Sequence, residues 1–223
     1  MKIRIDSSKC SSVIQGWSRF SNGMEDYWYY SDQLFETGKS YGLISEYMQG
    51  CMYLSYLLGG KIKPEDNLEI YIDDRKSDID KLYDFGWNIE PYYEKYKNLV
   101  VKKAIENGLK KGLVSESFEQ IAKAFILTEP RYDRKLSQLS GERWRASAAI
   151  GYVLGKKVFY GPYRSSEYYS KMNALPEIIN FLKDKDCMVV LPVGSDIYIK
   201  RYVDQCIYLE PKNYQFQDAL MSK

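Results

Sequence analysis

Apolar and polar residues alternate over Lys2–Ile5 and Asn67–Ile72, a period of two that predicts short strands with one buried face. Ser40-Tyr41-Gly42-Leu43-Ile44 reads as a buried strand running into a turn, and Gly50–Leu58 as a strongly apolar helix. The middle of the chain changes period. Leu99–Leu109 and Glu116–Leu127 predict helices, the second placing Phe118, Ile121, Ala122 and Phe125 on one face. A helix is expected after Gly141 as far as Leu154, then a buried strand at Val158-Phe159-Tyr160. Leu175, Ile178, Ile179 and Leu182 form a further helical stripe with Pro176 near its start. Met188–Leu191 and Cys206–Leu209 close the chain as strands. Helix and strand alternate through the second half, which argues for a mainly parallel sheet with crossover helices. The middle helices then form an inserted subdomain.

Composition narrows the class. The 223 residues suffice for one sizeable domain or two small ones. Hydrophobic residues at 45% and charged residues at 28% are ordinary for a globular protein. A net charge of +2 gives no push toward nucleic acid or an anionic surface. No run of about 18 apolar residues predicts a membrane span, and the alternating start lacks the apolar core of a signal peptide. Cys10, Cys51, Cys187 and Cys206 are scattered without metal or redox spacing, so reduced thiols in a cytosolic protein are expected. Histidine is absent. That excludes Ser-His and Cys-His nucleophilic mechanisms and zinc sites needing imidazole.

The candidate chemistry centres on Leu136-Ser137-Gln138-Leu139-Ser140-Gly141-Glu142-Arg143-Trp144-Arg145 and the small residues that follow. A Ser-Gly turn feeding a helix offers backbone N–H groups and a positive dipole end to a phosphate. On Ser140 and Gly141 alone, N-capping by Ser140 is the default reading. The longer stretch changes that. It resembles the L-S-G-G-Q/E signature of the ATP-binding cassette (ABC) ATPases with one glycine missing. Arg145 falls three residues after Glu142, and Ala149 and Gly151 stand where that family has small residues. The resemblance implies that Ser140, Gly141 and Glu142 contact ATP held by a partner subunit rather than by this chain.

Other segments resemble the family in frame while differing in chemistry. Gly38–Ile44 is similar to the approach to the family's phosphate loop, and the loop itself becomes Ser45-Glu46-Tyr47-Met48-Gln49-Gly50-Cys51-Met52. Ser45 opens it and only Gly50 keeps its type. Cys51 stands in place of the phosphate-binding Lys, and Met52 in place of the Mg²⁺-liganding hydroxyl. Val158-Phe159-Tyr160-Gly161-Pro162 resembles the strand ending in Asp-Glu-Pro, with Tyr160 for the metal Asp and Gly161 for the catalytic Glu. Val193 lies near the position of the family's sensing His. Phe85–Pro91 resembles the Q-loop, which puts Glu90 and Pro91 at a permease contact; the bland reading of that segment is an exposed turn. The Tyr27-Trp28-Tyr29-Tyr30 cluster reads as core or as an aromatic patch near the family's adenine site.

The resemblance implies an α/β fold of the P-loop NTPase-like ABC nucleotide-binding-domain type, with an N-terminal antiparallel β portion. The whole chain, 1–223, is expected to form one unit, its core at 1–85 and 135–223 and a helical subdomain near 86–134. On the replaced side chains, the chain is expected not to be an enzyme. Its own motifs would bind no cofactor or metal, with ATP and Mg²⁺ shared through a partner. The expected partners are an active ABC ATPase subunit and a membrane permease, with a heterodimer preferred over a homodimer and no nucleic acid. The expected location is cytoplasmic, peripheral on the inner face of the cell membrane. The alternative is a structural or regulatory protein that binds a permease or other protein without nucleotide. A soluble α/β binder outside transport is a further option.

Overall fold

The computed structural model describes residues 1–6, 33–46, 50–62, 68–91 and 95–209. The Tyr27–Tyr30 cluster, Cys10 and the loop tip Tyr47-Met48-Gln49 lie outside these residues.

Two sheets form the frame. In the first, β1 (Lys2–Asp6) lies between β2 (Gln33–Glu36) and β4 (Glu69–Ile72), and β5 (Arg75–Lys76) extends it in the order β2-β1-β4-β5. All pairings are antiparallel, with Ile3 opposite Phe35 and Ile72. The alternation read from the sequence is realised: Ile3 and Ile5 are fully buried while Lys2 points to solvent. The second sheet has the order β6-β7-β8-β3-β9 and pairs only in parallel. Its strands are β3 (Ser40–Ile44), β6 (Gly86–Asn88), β7 (Val158–Tyr160), β8 (Met188–Val193) and β9 (Gln205–Tyr208).

Parallel pairing requires crossovers that cover both faces. Helix α1 (Cys51–Leu58) fills the space between the two sheets and is buried at every position. That accounts for its all-round apolar sequence. Helix α2 (Ile79–Phe85) leads into β6. On the other face, α5 (Arg143–Val153) is buried from Trp144 onward. It lies against α3 (Val101–Leu109) of the helical portion, and α3 in turn meets α4 (Phe118–Ala124). Helices α6 (Ser166–Ser170), α7 (Leu175–Asp184) and α8 (Asp196–Ile199) complete the crossovers.

Local signals explain the boundaries. Ser117 accepts a hydrogen bond from Gln120 N while the Gln120 side chain returns to Ser117 N, a capping box that starts α4 two residues later than Glu116. The helix ends at Ala124, short of the expected Leu127, where Ile126 takes φ 52°. Pro176 sits in the first turn of α7, where its missing N–H costs nothing.

The segment expected to open the helical subdomain at residue 86 is instead strand β6, an edge of the core sheet. Its Trp87 indole N–H donates to Ser147 O at 2.8 Å and Ser147 Oγ at 3.1 Å, tying the edge to α5. Trp87 lies so close to α5 that a Cβ at Gly151 would sit 2.5 Å from the indole ring. Gly151→Ala is therefore expected to destabilise the fold by about 1–3 kcal/mol, read as a lowered midpoint in thermal or urea unfolding.

Candidate functional site

The residues expected to handle nucleotide gather at the C-terminal ends of the parallel strands, the edge at which open α/β sheets bind ligands. Beyond β3, Ser45 N donates to Val193 O at 3.2 Å, and Ser45 Oγ accepts from Cys51 N at 3.3 Å. Gly50 turns the chain into α1 with φ 97°, a conformation that favours glycine. Cys51 and Met52 then point into the core between the sheets, 1% and 8% exposed.

Tyr160 and Gly161 close β7. The Tyr160 ring meets Tyr56 of α1 edge-on, centroids 5.8 Å apart, and is buried. Gly161 N donates to Val190 O at 3.1 Å, and Gly161 O accepts from Ser55 Oγ at 3.0 Å. Val193 is fully buried at the end of β8. The structure thus brings Ser45, Gly50, Cys51, Tyr160, Gly161 and Val193 to one end of one sheet, mostly as packing residues. Among the described residues, no group of His, Cys, Asp and Glu could hold a metal.

The Leu136–Glu142 stretch separates into inward and outward positions. Leu136 and Leu139 are buried while Ser140 and Gly141 are exposed. A Cβ at Gly141 would meet nothing within 4 Å, so the turn stands open to solvent. Glu142, expected to reach a partner's ATP, does not face outward. It is 2% exposed and accepts from Thr128 N at 2.8 Å, Thr128 Oγ1 at 2.7 Å and Arg131 at 3.0 Å. Arg145 completes the cluster 3.6 Å away, and burial pushes its guanidinium pKa down. The Glu142 carboxylate therefore joins the helical portion to the start of α5, and the outward contact reduces to Ser140 and Gly141.

Glu90 and Pro91, expected at a permease surface, are both buried, which also removes the exposed-turn reading. Glu90 pairs with Arg164 at 2.9 Å. That ion pair ties the end of β6 to the loop after β7, a link invisible in a sequence that separates the two by 74 positions. Beside it, burial and the Glu90 carboxylate raise the Tyr168 phenol pKa. Glu90, Ser140, Gly141, Trp144 and Tyr168 share one cavity of about 360 Å³. The two motifs taken separately from the sequence, the Q-loop-like turn and the signature-like turn, are thus neighbours. Among the residues the sequence reading missed, Thr128 and Arg131 carry no local signal, since their partner lies a loop and a turn away.

No protein-family model matches the chain, and no curated protein matches it in sequence. Solved structures do. The chain is similar to cbiO1 from Clostridium perfringens, part of the ABC transporter complex cbiONQ, with a TM-score of 0.67 and 14% identity. That match covers 93% of this chain and 84% of cbiO1. It is also similar to the dimeric bacterial ABC transporter cassette MJ0796, with a TM-score of 0.61 and 16% identity, over 95% of this chain and all of the other. The fold is that of the ABC nucleotide-binding domain.

This finding corrects one expectation. Side-chain replacement suggested a chain that is not an enzyme, whereas the shared fold is that of ATPase cassettes. One such structure of MJ0796 is a post-hydrolysis state bound to ADP and Pi, at TM-score 0.61. Replaced side chains alone therefore do not make this chain a non-enzyme.

Glu142→Ala leaves the Thr128 donors and two guanidinium groups facing an empty, buried site. A loss of about 2–4 kcal/mol in unfolding free energy is expected in urea titration.

Proposed function

We propose that this chain is the ATP-binding-cassette subunit of an ABC transporter. It pairs with a second, active cassette subunit and a membrane permease on the cytoplasmic face of the membrane. ATP and Mg²⁺ are shared across the pair, and the dimer is a heterodimer. The fold supports the cassette reading, and the matched structures include one dimer and one member of a transporter complex. Among the described residues, no helix is long and apolar enough to cross a membrane, which accords with a separate permease.

One observation carries the reading: Ser140 and Gly141 form an open turn at the start of the eleven-residue helix α5, held between buried Leu139 and buried Glu142. The anchors on either side fix the turn, so little ordering is required when it meets a ligand. Arg143 N donates to Ser140 O at 3.1 Å, the next N–H groups of α5 have no carbonyl partner within the helix, and its dipole places positive charge there. An anionic phosphate presented by a facing subunit fits that end. Arg143 does not compete for it, because its guanidinium turns back to Leu136 O at 3.0 Å and Ser137 O at 3.4 Å. The cavity shared by Ser140, Gly141 and Glu90 lies next to this turn. It offers a route by which a permease bound nearby would sense or shift the turn.

Ser140→Arg places a bulky cation in the turn without touching the core. In the reconstituted complex, ATP hydrolysis is expected to fall by about tenfold or more while the variant keeps its folded circular dichroism spectrum. Unchanged hydrolysis would overturn the trans contact.

A further inference from the structure

The cavity shared by the two turns is walled by a buried donor and a buried acceptor that the chain itself leaves unanswered. Among the described residues, four buried side-chain polar atoms have no hydrogen-bond partner. Two of them, Glu90 Oε1 and Trp144 Nε1, belong to residues lining this one space of about 360 Å³. Glu90 and Trp144 are each 5% exposed. Buried polar groups in folded proteins are almost always paired, so an acceptor and a donor left over in one cavity call for a common partner.

The neighbours narrow what that partner is. Arg164 Nη2 donates to Glu90 Oε2 at 2.9 Å, so the carboxylate charge is already answered and one oxygen still accepts. The Tyr168 hydroxyl interacts with the same carboxylate, and Oε1 still lacks a hydrogen-bond partner. A cation entering here would meet the Arg164 guanidinium, and an anion would meet the bare Oε1. Lys171 pairs with Glu167 at 2.6 Å, both side chains well exposed, so its charge is met outside the cavity. Arg143 turns back to Leu136 O and Ser137 O. There remain one N–H to donate, one oxygen to accept, and apolar surface from Met172 and the rings of Trp144 and Tyr168. A carboxamide supplies both missing halves without a charge, a C=O for the indole and an N–H for the carboxylate. A flat ring suits the apolar walls.

We propose that this cavity binds an uncharged small molecule carrying a carboxamide on a flat ring, its carbonyl accepting from Trp144 Nε1 and its N–H donating to Glu90 Oε1. The volume is that of a small-molecule site rather than a protein groove. Ser140 and Gly141 line the same space, so the bound molecule lies against the exposed turn. Its effect on ATP held by a facing subunit rests on the transporter reading, whereas its binding does not.

Nicotinamide is the probe and nicotinic acid its match, the same ring with a carboxylate that lacks the N–H donor and brings a charge to Glu90. In an NMR titration of the full chain, nicotinamide is expected to bind at about millimolar affinity and nicotinic acid about tenfold more weakly. The Trp144 indole N–H peak, identified by its loss in Trp144→Phe, shifts during the titration. The Trp87 indole, already donating to Ser147 O, stays in place. Trp144→Phe keeps an aromatic ring and removes the donor, so nicotinamide binding weakens about tenfold while the unfolding midpoint holds. Should that variant fail to fold, the two probes still decide the matter on the unaltered chain. Absence of saturable nicotinamide binding, equal binding of the two probes, an unmoved Trp144 indole, or full affinity in Trp144→Phe would overturn the site and leave ordered water as the partner of both groups. None of these outcomes bears on ATP hydrolysis by the reconstituted complex, which tests the transporter reading separately.

Discussion

The core sheet pairs only in parallel and, apart from its edge strand β9, is buried on both faces, and the rest of the molecule depends on that. A parallel sheet cannot leave a face in water, because its crossovers must return over one side or the other. Strand β8 shows the consequence residue by residue. Met188 and Val190 join the cluster between the two sheets, whereas Val189, Leu191 and Val193 join the cluster under the helical portion. Strand β7 divides in the same way, Val158 and Tyr160 to one side and Phe159 to the other. Two helices are therefore enclosed, α1 between the sheets and α5 between sheet and helical portion, and their N-termini lie among the residues assigned to nucleotide chemistry.

That enclosure sets what each assigned residue does. Cys51, Met52 and Tyr160 lie on the face shared with α1 and contribute packing. Ser140 and Gly141 escape because they precede the buried length of α5. The turn keeps its position through two buried polar links that flank it. The Glu142 carboxylate gathers Thr128, Arg131 and Arg145, and the Glu90–Arg164 pair joins the end of β6 to the loop after β7. Buried charge is costly unless paired and hydrogen-bonded. The Glu142 link therefore restricts how the helical portion sits on the core, the Glu90–Arg164 pair fixes the core beside it, and the open turn inherits both restrictions.

Much of the fold was legible as pattern. Strands β1, β3, β7 and β8 and helices α1, α3, α5 and α7 fall where hydrophobic period placed them, because each buries a face that period defines. Short elements escaped: β2, β5, α6 and α8 are too brief for a period to show. Trp87 misled in another way. Its neighbourhood read as a loop motif, but an edge strand only three residues long needs no repeat, only β7 beside it. The sequence offered motifs but not the orientation of their side chains. Glu90, Pro91 and Glu142 stand in the expected segments and turn inward. The expectation of a chain that is not an enzyme rested on side-chain identity alone, and the fold shared with a cassette caught after hydrolysis corrects it.

The sequence by itself determined the order of elements, the parallel second half, the small residue at Gly151 and the Ser140-Gly141 turn. Each depends on neighbours along the chain, through period, steric size or capping. Only the tertiary structure decided that Glu142 is a buried hub, that Glu90 is held by Arg164, and that the two turns share one cavity. Those outcomes depend on which long-range partner reaches a carboxylate first. Burial then makes that partnership binding, because an unpaired charge in the interior costs more than the local chain geometry can repay.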